Sequence, residues 1–227
     1  MRRERQQQSG VHLGDAPRRA FDRLEQRSKL DGLDVQFIGA AQTVAGSMNL
    51  VRTGAGSVLS DCGLFQGRRR EACERNRDLR LLVMDVVAIV LSHAHINHSG
   101  ALPMLVRAGN RGPIDATPAT RDLATAMLQD AALIQEQDAR HLNRHAEREG
   151  FDLVEPLYDE ADVLRTLGMF HSVPYGLKSY LTPKIALTFR DAGHVLGSAI
   201  TVLDLKAGPD PRRLAFTGDL RRRDMPI

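Results

Sequence analysis

Three of the eight histidines fall within six residues, His93-Ala-His95-Ile-Asn97-His98, directly after an apolar run that ends at Leu91. In extended backbone His93 and His95 point to the same side, and a turn at Ile96–Asn97 brings His98 toward the same point. Imidazole nitrogen is a favoured zinc ligand, and side chains converging at the end of a strand make a preorganised metal site. The competing reading is a polar turn whose histidines are satisfied by hydrogen bonds; three imidazoles at this spacing favour the metal. A hydrolytic metal centre also needs further ligands and a carboxylate. Asp191-Ala-Gly-His194-Val-Leu-Gly-Ser supplies one more histidine in a glycine-rich turn, and Thr217-Gly-Asp219 supplies a carboxylate after an apolar run. Asp61, behind Val58-Leu59-Ser60, is placed to orient a ligand from the far side, as carboxylates commonly do for metal-bound histidines.

The elements that must position these residues are read from hydropathy and turn chemistry. Val86–Leu91 is a continuous apolar run of strand length, the pattern of a strand covered on both faces. Residues 34–39 read as a strand, and Asn49–Arg52 with Ser57–Ser60 read as a hairpin around Thr53-Gly-Ala-Gly56. Ala101–Ala108 reads as a short helix. Thr117-Pro118 offers an N-cap with proline at the first helical position, opening a long helix or two broken ones up to Gly150. A further short helix is expected over Glu160–Met169. The rest reads as strands at Leu181-Thr182, Ile185–Phe189, Ala199–Asp204 and Arg213–Thr217. Strands, then helices, then strands indicate an α/β sandwich.

Composition bounds the class. The 227 residues are 42% hydrophobic and 26% charged, which suits one sizeable domain and excludes a disordered, collagenous or coiled-coil chain. No apolar run reaches membrane-spanning length, and the first ten residues lack the apolar stretch of a secretory leader. With Cys62 and Cys73 as the only cysteines, a disulfide framework is not expected and the cytoplasm is the default compartment. The net charge of +3 is concentrated near the N-terminus, in Arg2, Arg3, Arg5, Arg18, Arg19, Arg23, Arg27 and Lys29. Residues 1–32 are therefore read as a basic, flexible arm with a short helix around 18–29, and residues 33–227 as the domain. Such an arm is either solvated or holds a polyanion through phosphate contacts.

His93-Ala-His95-Ile-Asn97-His98 resembles the H-x-H-x-D-H signature of the metallo-β-lactamase fold hydrolases. Several further segments resemble its β-CASP RNA-processing branch: Phe37–Ser47, Asp61-Cys-Gly-Leu-Phe-Gln-Gly67 and Leu91-Ser-His-Ala-His95. Ala116-Thr-Pro-Ala-Thr-Arg-Asp-Leu123, Asp191–Ser198 and Gly218-Asp-Leu220 match in the same order, so the resemblance covers about residues 34–227. It implies an αββα sandwich, present here in its N-terminal portion. It also implies a zinc-dependent hydrolase that cleaves RNA phosphodiesters with a metal-activated water. By the resemblance His93, His95 and His194 hold the first zinc and Asp219 bridges to a second. His98, with position 97 beside it, serves that second ion, and Asp61 braces the histidines. Asp61, Asn97, His98 and Asp219 are then the catalytic set.

Three departures from the family pattern carry consequences. Asn97 stands where the family has aspartate, so a neutral amide replaces a charge that would favour the second cation. Arg221 stands where the family has glycine, where it either obstructs the site or holds phosphate. The family continues past the Gly-Asp motif into a β-CASP domain and a returning segment with further catalytic histidines, and the chain is expected to lack both after Ile227. One zinc is therefore expected and the second is weakened. Two alternatives follow: an impaired homologue that binds metal and RNA without turnover, and a single-metal esterase or thioesterase. RNA is the expected partner, no membrane is involved, and open sheet edges invite a homo-oligomer. His141 and His145 lie one helical turn apart, but Leu142 occupies the position of a zinc-protease glutamate, so they read as surface histidines. Arg68-Arg-Arg70 reads as a solvated loop or a phosphate contact.

Overall fold

Seven strands form one sheet in chain order: β1 (Gln26–Leu30), β2 (Leu33–Gly39), β3 (Met48–Thr53), β4 (Gly56–Ser60), β5 (Val86–Val90), β6 (Ile114–Ala116) and β7 (Phe170–Ser172). The first four pair antiparallel, whereas β4 to β7 run parallel. Parallel neighbours need crossovers. Helices α1 (Ile96–Ser99) and α2 (Leu102–Arg107) lie between β5 and β6, and α3 (Pro118–Glu149) and α4 (Glu160–Leu167) between β6 and β7. A second, antiparallel sheet contains β8 (Lys178–Thr182), β9 (Ile185–Asp191), β10 (Ala199–Leu205) and β11 (Arg212–Phe216), in the order β11-β10-β9-β8. This computed structural model describes residues 26–30, 32–40, 44–67, 72, 76, 86–149, 153–206 and 210–221, with 26–30 and 145–149 as backbone alone.

Two cores fill the space between the layers. On one side of the large sheet Leu50, Leu59, Ile89 and Ile114 pack with Leu102, Leu105, Leu128 and Val163 from the helices. On the other side Val35, Val51, Val58 and Val90 pack with Ile185, Leu187, Phe189, Leu203 and Leu205 of the small sheet. The alternation along β5 explains its unbroken apolar sequence: Ile89 belongs to the helix side and Val90 to the inter-sheet side. The described layers are thus helix, sheet and sheet, in keeping with an α/β sandwich. Along β10 buried and half-buried residues alternate, as expected of a strand with one face in the core.

The hairpin read around Thr53–Gly56 is β3–β4, with those two residues opposite each other. The pattern read as one helix or two is a single 32-residue helix. The short helix expected around 18–29 does not hold at its C-terminal end. Residues 26–30 form β1, paired along its length with β2 from Gln26↔Phe37 to Leu30↔Leu33. Backbone pairing along a sheet edge overrides the weak helical preference of this charged stretch. Residues 1–25, and with them most of the basic arm, lie outside the described residues, as do Arg68–Arg70 and Cys73. No helix among the described residues is long and apolar enough to cross a membrane.

Candidate metal centre

Four loops meet at one end of the two sheets. β4 runs into Asp61, β5 into the Ser92–His98 segment, the β9–β10 turn carries His194, and β11 runs into Asp219. The sheets are stitched together there by the Ala199 amide, which donates to the Ser92 carbonyl at 2.8 Å. His93, His95, His194 and Asp219 present ligand atoms that all lie within 4.8 Å of one another. His93 Nε2 is 3.1 Å from His95 Nδ1, which is 3.4 Å from His194 Nε2. Asp219 Oδ2 lies 3.8 Å from His93 Nε2 and 3.6 Å from His194 Nε2. The rings of His93, His95 and His194 stand nearly perpendicular to one another, with centroids 4.8–5.1 Å apart, so nitrogens converge instead of rings stacking.

Asp61 organises this cluster from beneath. It is 2% exposed and sits at φ 60°, a left-handed conformation that aspartate tolerates better than most residues. Its Oδ1 accepts the Ser92 amide at 2.8 Å. Its Oδ2 accepts the hydroxyls of Ser92 at 3.0 Å and Ser47 at 3.2 Å, and takes His98 Nδ1 at 2.8 Å. Because the Ser92 hydroxyl donates its one proton to Asp61, its oxygen must accept from His93 Nδ1, 3.1 Å away. Two tautomers follow: His93 and His98 both carry hydrogen on Nδ1 and leave Nε2 facing the cluster. Sequence reading assigned no role to Ser92 or Ser47. Their only signal was their place within the motif segments.

His98 sits beside the four-donor set. Its Nε2 is 3.4 Å from Asp219 Oδ1, whereas Oδ2 is the oxygen paired with His93 and His194. Asn97 lies on α1 with its amide nitrogen donating to the Val44 carbonyl at 3.3 Å. The Arg221 backbone amide donates to the Ala192 carbonyl at 3.4 Å, tying the loop after Asp219 to the loop before His194. His141 lies on the exposed face of α3 far along the chain from this cluster, with Arg144 3.3 Å from its Nδ1. The His145 side chain lies outside the described residues.

Electrostatics divides the histidines. Burial, reinforced by the neighbouring His98, pulls the His93 pKa down to about 3. Burial and then His194 lower that of His95. At His98 burial acts downward too, but the hydrogen bond and charge of Asp61, with Asp219 behind them, outweigh it and raise the pKa. His93 and His95 are thus held neutral near pH 7, the form in which imidazole ligates.

Zinc bonds of about 2.0–2.1 Å in a tetrahedron imply ligand–ligand separations of about 3.3–3.4 Å; four of the six separations here, 3.1, 3.4, 3.6 and 3.8 Å, lie near that value, and the whole set stays within 4.8 Å. Three imidazoles and one carboxylate are also the donors a divalent transition metal prefers.

Residues 42–170 match the family model described as metallo-beta-lactamase superfamily, a span that takes in Asp61 and the His93–His98 cluster. A ribonuclease of Thermus thermophilus is 35% identical over 189 residues, 83% of this chain and 38% of its own length. Transcription termination factor FttA of Methanocaldococcus jannaschii is 33% identical over 187 residues, 82% of this chain and 27% of its own length. This chain therefore spans well under half of each of these curated relatives. Among solved structures, Rm3 metallo-beta-lactamase superposes with a TM-score of 0.50 at 22% identity, covering 89% of this chain and 65% of that one, a likeness of fold.

Proposed function

The chain belongs to the metallo-beta-lactamase superfamily, and on that premise we propose that its histidine cluster is the zinc centre of a hydrolase acting on RNA phosphodiesters. The observation that carries the proposal is the convergence of His93 Nε2, His95 Nδ1, His194 Nε2 and an Asp219 oxygen within 4.8 Å. The RNA substrate is supported by the names of the two relatives above and by the motif resemblance to the β-CASP branch. The cytoplasm follows as the compartment where such a substrate is met.

In this reading His93, His95, His194 and Asp219 would hold one zinc ion, with His98 beside them. When bound, zinc supplies a positive charge that acidifies water and polarises a phosphoryl oxygen. The chain's own residues do the rest. Asp61 fixes His98 directly and His93 through Ser92, so the Nε2 of each faces the cluster, and burial keeps that of His93 unprotonated. Asp219, with its side chain 39% exposed, is the carboxylate of the cluster open to solvent and would accept a proton from the attacking water through the oxygen not holding the ion. The water oxygen bonds to phosphorus, the bond from phosphorus to the leaving ribose oxygen breaks, and a proton passes to that oxygen.

A second reading is favoured by Asn97, whose amide is turned to the Val44 carbonyl and brings no charge to the His98 side. Here the chain binds metal and RNA without turnover. Zinc content per chain, measured after chelator stripping and reconstitution, tests the shared part of both readings, with about one ion expected. Incubation of the reconstituted protein with a short single-stranded RNA, beside chromogenic ester and thioester substrates, then separates them. RNA cleavage abolished by His95→Ala supports the nuclease, and salt-sensitive RNA binding without cleavage supports the second reading. Ester turnover alone would move the assignment to the small-substrate hydrolases.

A further inference from the structure

His194 is the metal-site histidine whose position depends most on a loop. Its ring meets His95 through Nε2, and among the described residues no hydrogen bond anchors its Nδ1. The turn that carries it is closed on itself by Ser198, whose hydroxyl oxygen accepts the amides of His194 at 3.0 Å and Val195 at 3.1 Å. That closure sets the shape of the turn but not its placement.

Placement comes from the helix layer. The Gly197 carbonyl accepts two hydroxyls at once, Thr117 Oγ1 at 2.7 Å and Thr120 Oγ1 at 2.8 Å. Both threonines are buried, at 1% and 0% exposure. They stand at the start of α3, where Thr117 also accepts the Thr120 amide at 3.2 Å. Ala124, Leu128 and Ala132 root the same helix in the core, so its first turn is a fixed support. Contact at the support is close. Gly197 has φ +87°, and a Cβ there would sit 2.5 Å from the Thr120 nitrogen, so only glycine lets the turn seat on the helix.

We propose that Thr117 and Thr120 are positioning residues for the metal site: their paired hydroxyls grip the Gly197 carbonyl and hold His194 at coordinating distance from His93 and His95. The proposal rests on the metal reading of the cluster. Two donors saturate both lone pairs of one carbonyl. Loss of one hydroxyl leaves the carbonyl bonded, and loss of both leaves it buried without a partner, so the effects are more than additive.

The test uses the whole chain, stripped with chelator and titrated with zinc in competition with a chromogenic chelator. Thr117→Val and Thr120→Val are each expected to weaken zinc binding by about 2–5-fold. The double variant is expected to weaken it by about 10–100-fold, the range found for groups that orient ligands. Replacing both threonines by serine keeps both donors and is expected to stay within about 3-fold of the parent. In a His194→Ala background Thr120→Val is expected to cost nothing further. A readout without metal is the His194 imidazole resonance of the stripped protein, expected to stay single with two serines and to broaden or split with Thr120→Val. Parent-like affinity in the double valine variant overturns the proposal. So does equal loss with serine, or a valine effect that persists without His194. Parent protein that takes up no zinc would instead overturn the metal reading itself.

Discussion

At the scale of single residues, the cluster is governed by Asp61, which lies outside the ring of converging donors. Asp61→Asn keeps a side chain that tolerates φ 60° but removes the charge facing His98 and one of the acceptors that fix the tautomers. Zinc affinity is expected to fall by about 10–100-fold, and metal-free stability by about 1–3 kcal/mol, because the new amide group faces donors in a buried site. Asp61→Ala loses the same contacts and also strains the backbone, so denaturant unfolding should find it about 1–2 kcal/mol less stable than the Asn variant. Equal zinc affinity in parent and Asn variant would dismiss the bracing role. Protonation gives a second expectation. Unfolded histidine titrates near 6.5, whereas His93 is held neutral down to about 3 by burial and then by His98. The unfolded chain thus binds more protons below 6.5. Metal-free stability is whole above that pH and is lost as pH falls from 6.5 toward 3. His95 acts in the same sense. His98 acts oppositely, its contribution present below 6.5 and lost as pH rises through its elevated pKa. The urea midpoint of stripped protein should drop between pH 7 and 5, less steeply in His93→Gln; a flat profile would contradict it. His93, His95 and His98 were legible in the sequence because residue type and spacing mark them, whereas His194, alone in a glycine-rich turn, was picked out by the family resemblance. Ser92 was not, because a serine beside a histidine is unremarkable until its hydroxyl is seen donating to Asp61 and accepting from His93.

At the scale of elements, the site depends on how tightly α1 seats against the exit of β4. The amides of Cys62 and Leu64 donate to the carbonyls of His98 and Ile96, at 2.7 and 3.0 Å, and Ser47 donates to the Asn97 carbonyl at 2.8 Å. Gly63 lies where these backbones meet, and a Cβ there would fall 1.7 Å from the Asn97 oxygen. Gly63→Ala must therefore push α1 away and take His98 with it. The expected result is a loss of several kcal/mol of stability and of zinc binding together, measured by thermal unfolding and metal titration. A variant that unfolds and binds zinc like the parent would show that the segment yields. Strands β2 to β5 and helices α2 to α4 could be read from the sequence because long apolar periods and turn residues mark them. The three-residue β6 and β7 could not, since Ile114–Ala116 and Phe170–Ser172 are too short for any period to appear. β1 was missed for a different reason. It is an edge strand whose partner, β2, supplies an ordering that the charged sequence Gln26–Leu30 does not announce.

At the scale of the whole molecule, the donors are shared between the two sheets. His93 and His95 extend from the large one, His194 and Asp219 from the small one. A bound ion therefore ties the layers together, and its removal should be felt globally. With zinc at about 100 times its dissociation constant the folded state gains about 2.7 kcal/mol, or about 5–10 °C in Tm for a chain of this size. Chelator addition during thermal unfolding measures it, and an unchanged Tm would show that the folded state binds no ion. The two-sheet arrangement itself was legible only as a class, because no sequence pattern says which strands share a sheet; the split into seven and four emerges from pairing. Sharing the donors has one more consequence. Phe189, Leu203 and their neighbours set the gap between the sheets, and a coordination sphere tolerates errors of only about 0.5 Å. The inter-sheet core is thus the spacer of a calliper whose jaws are the histidine loops. Trimming Leu203, four residues along β10 from the mouth, would be read at the jaws as a change in metal affinity without any ligand having been touched.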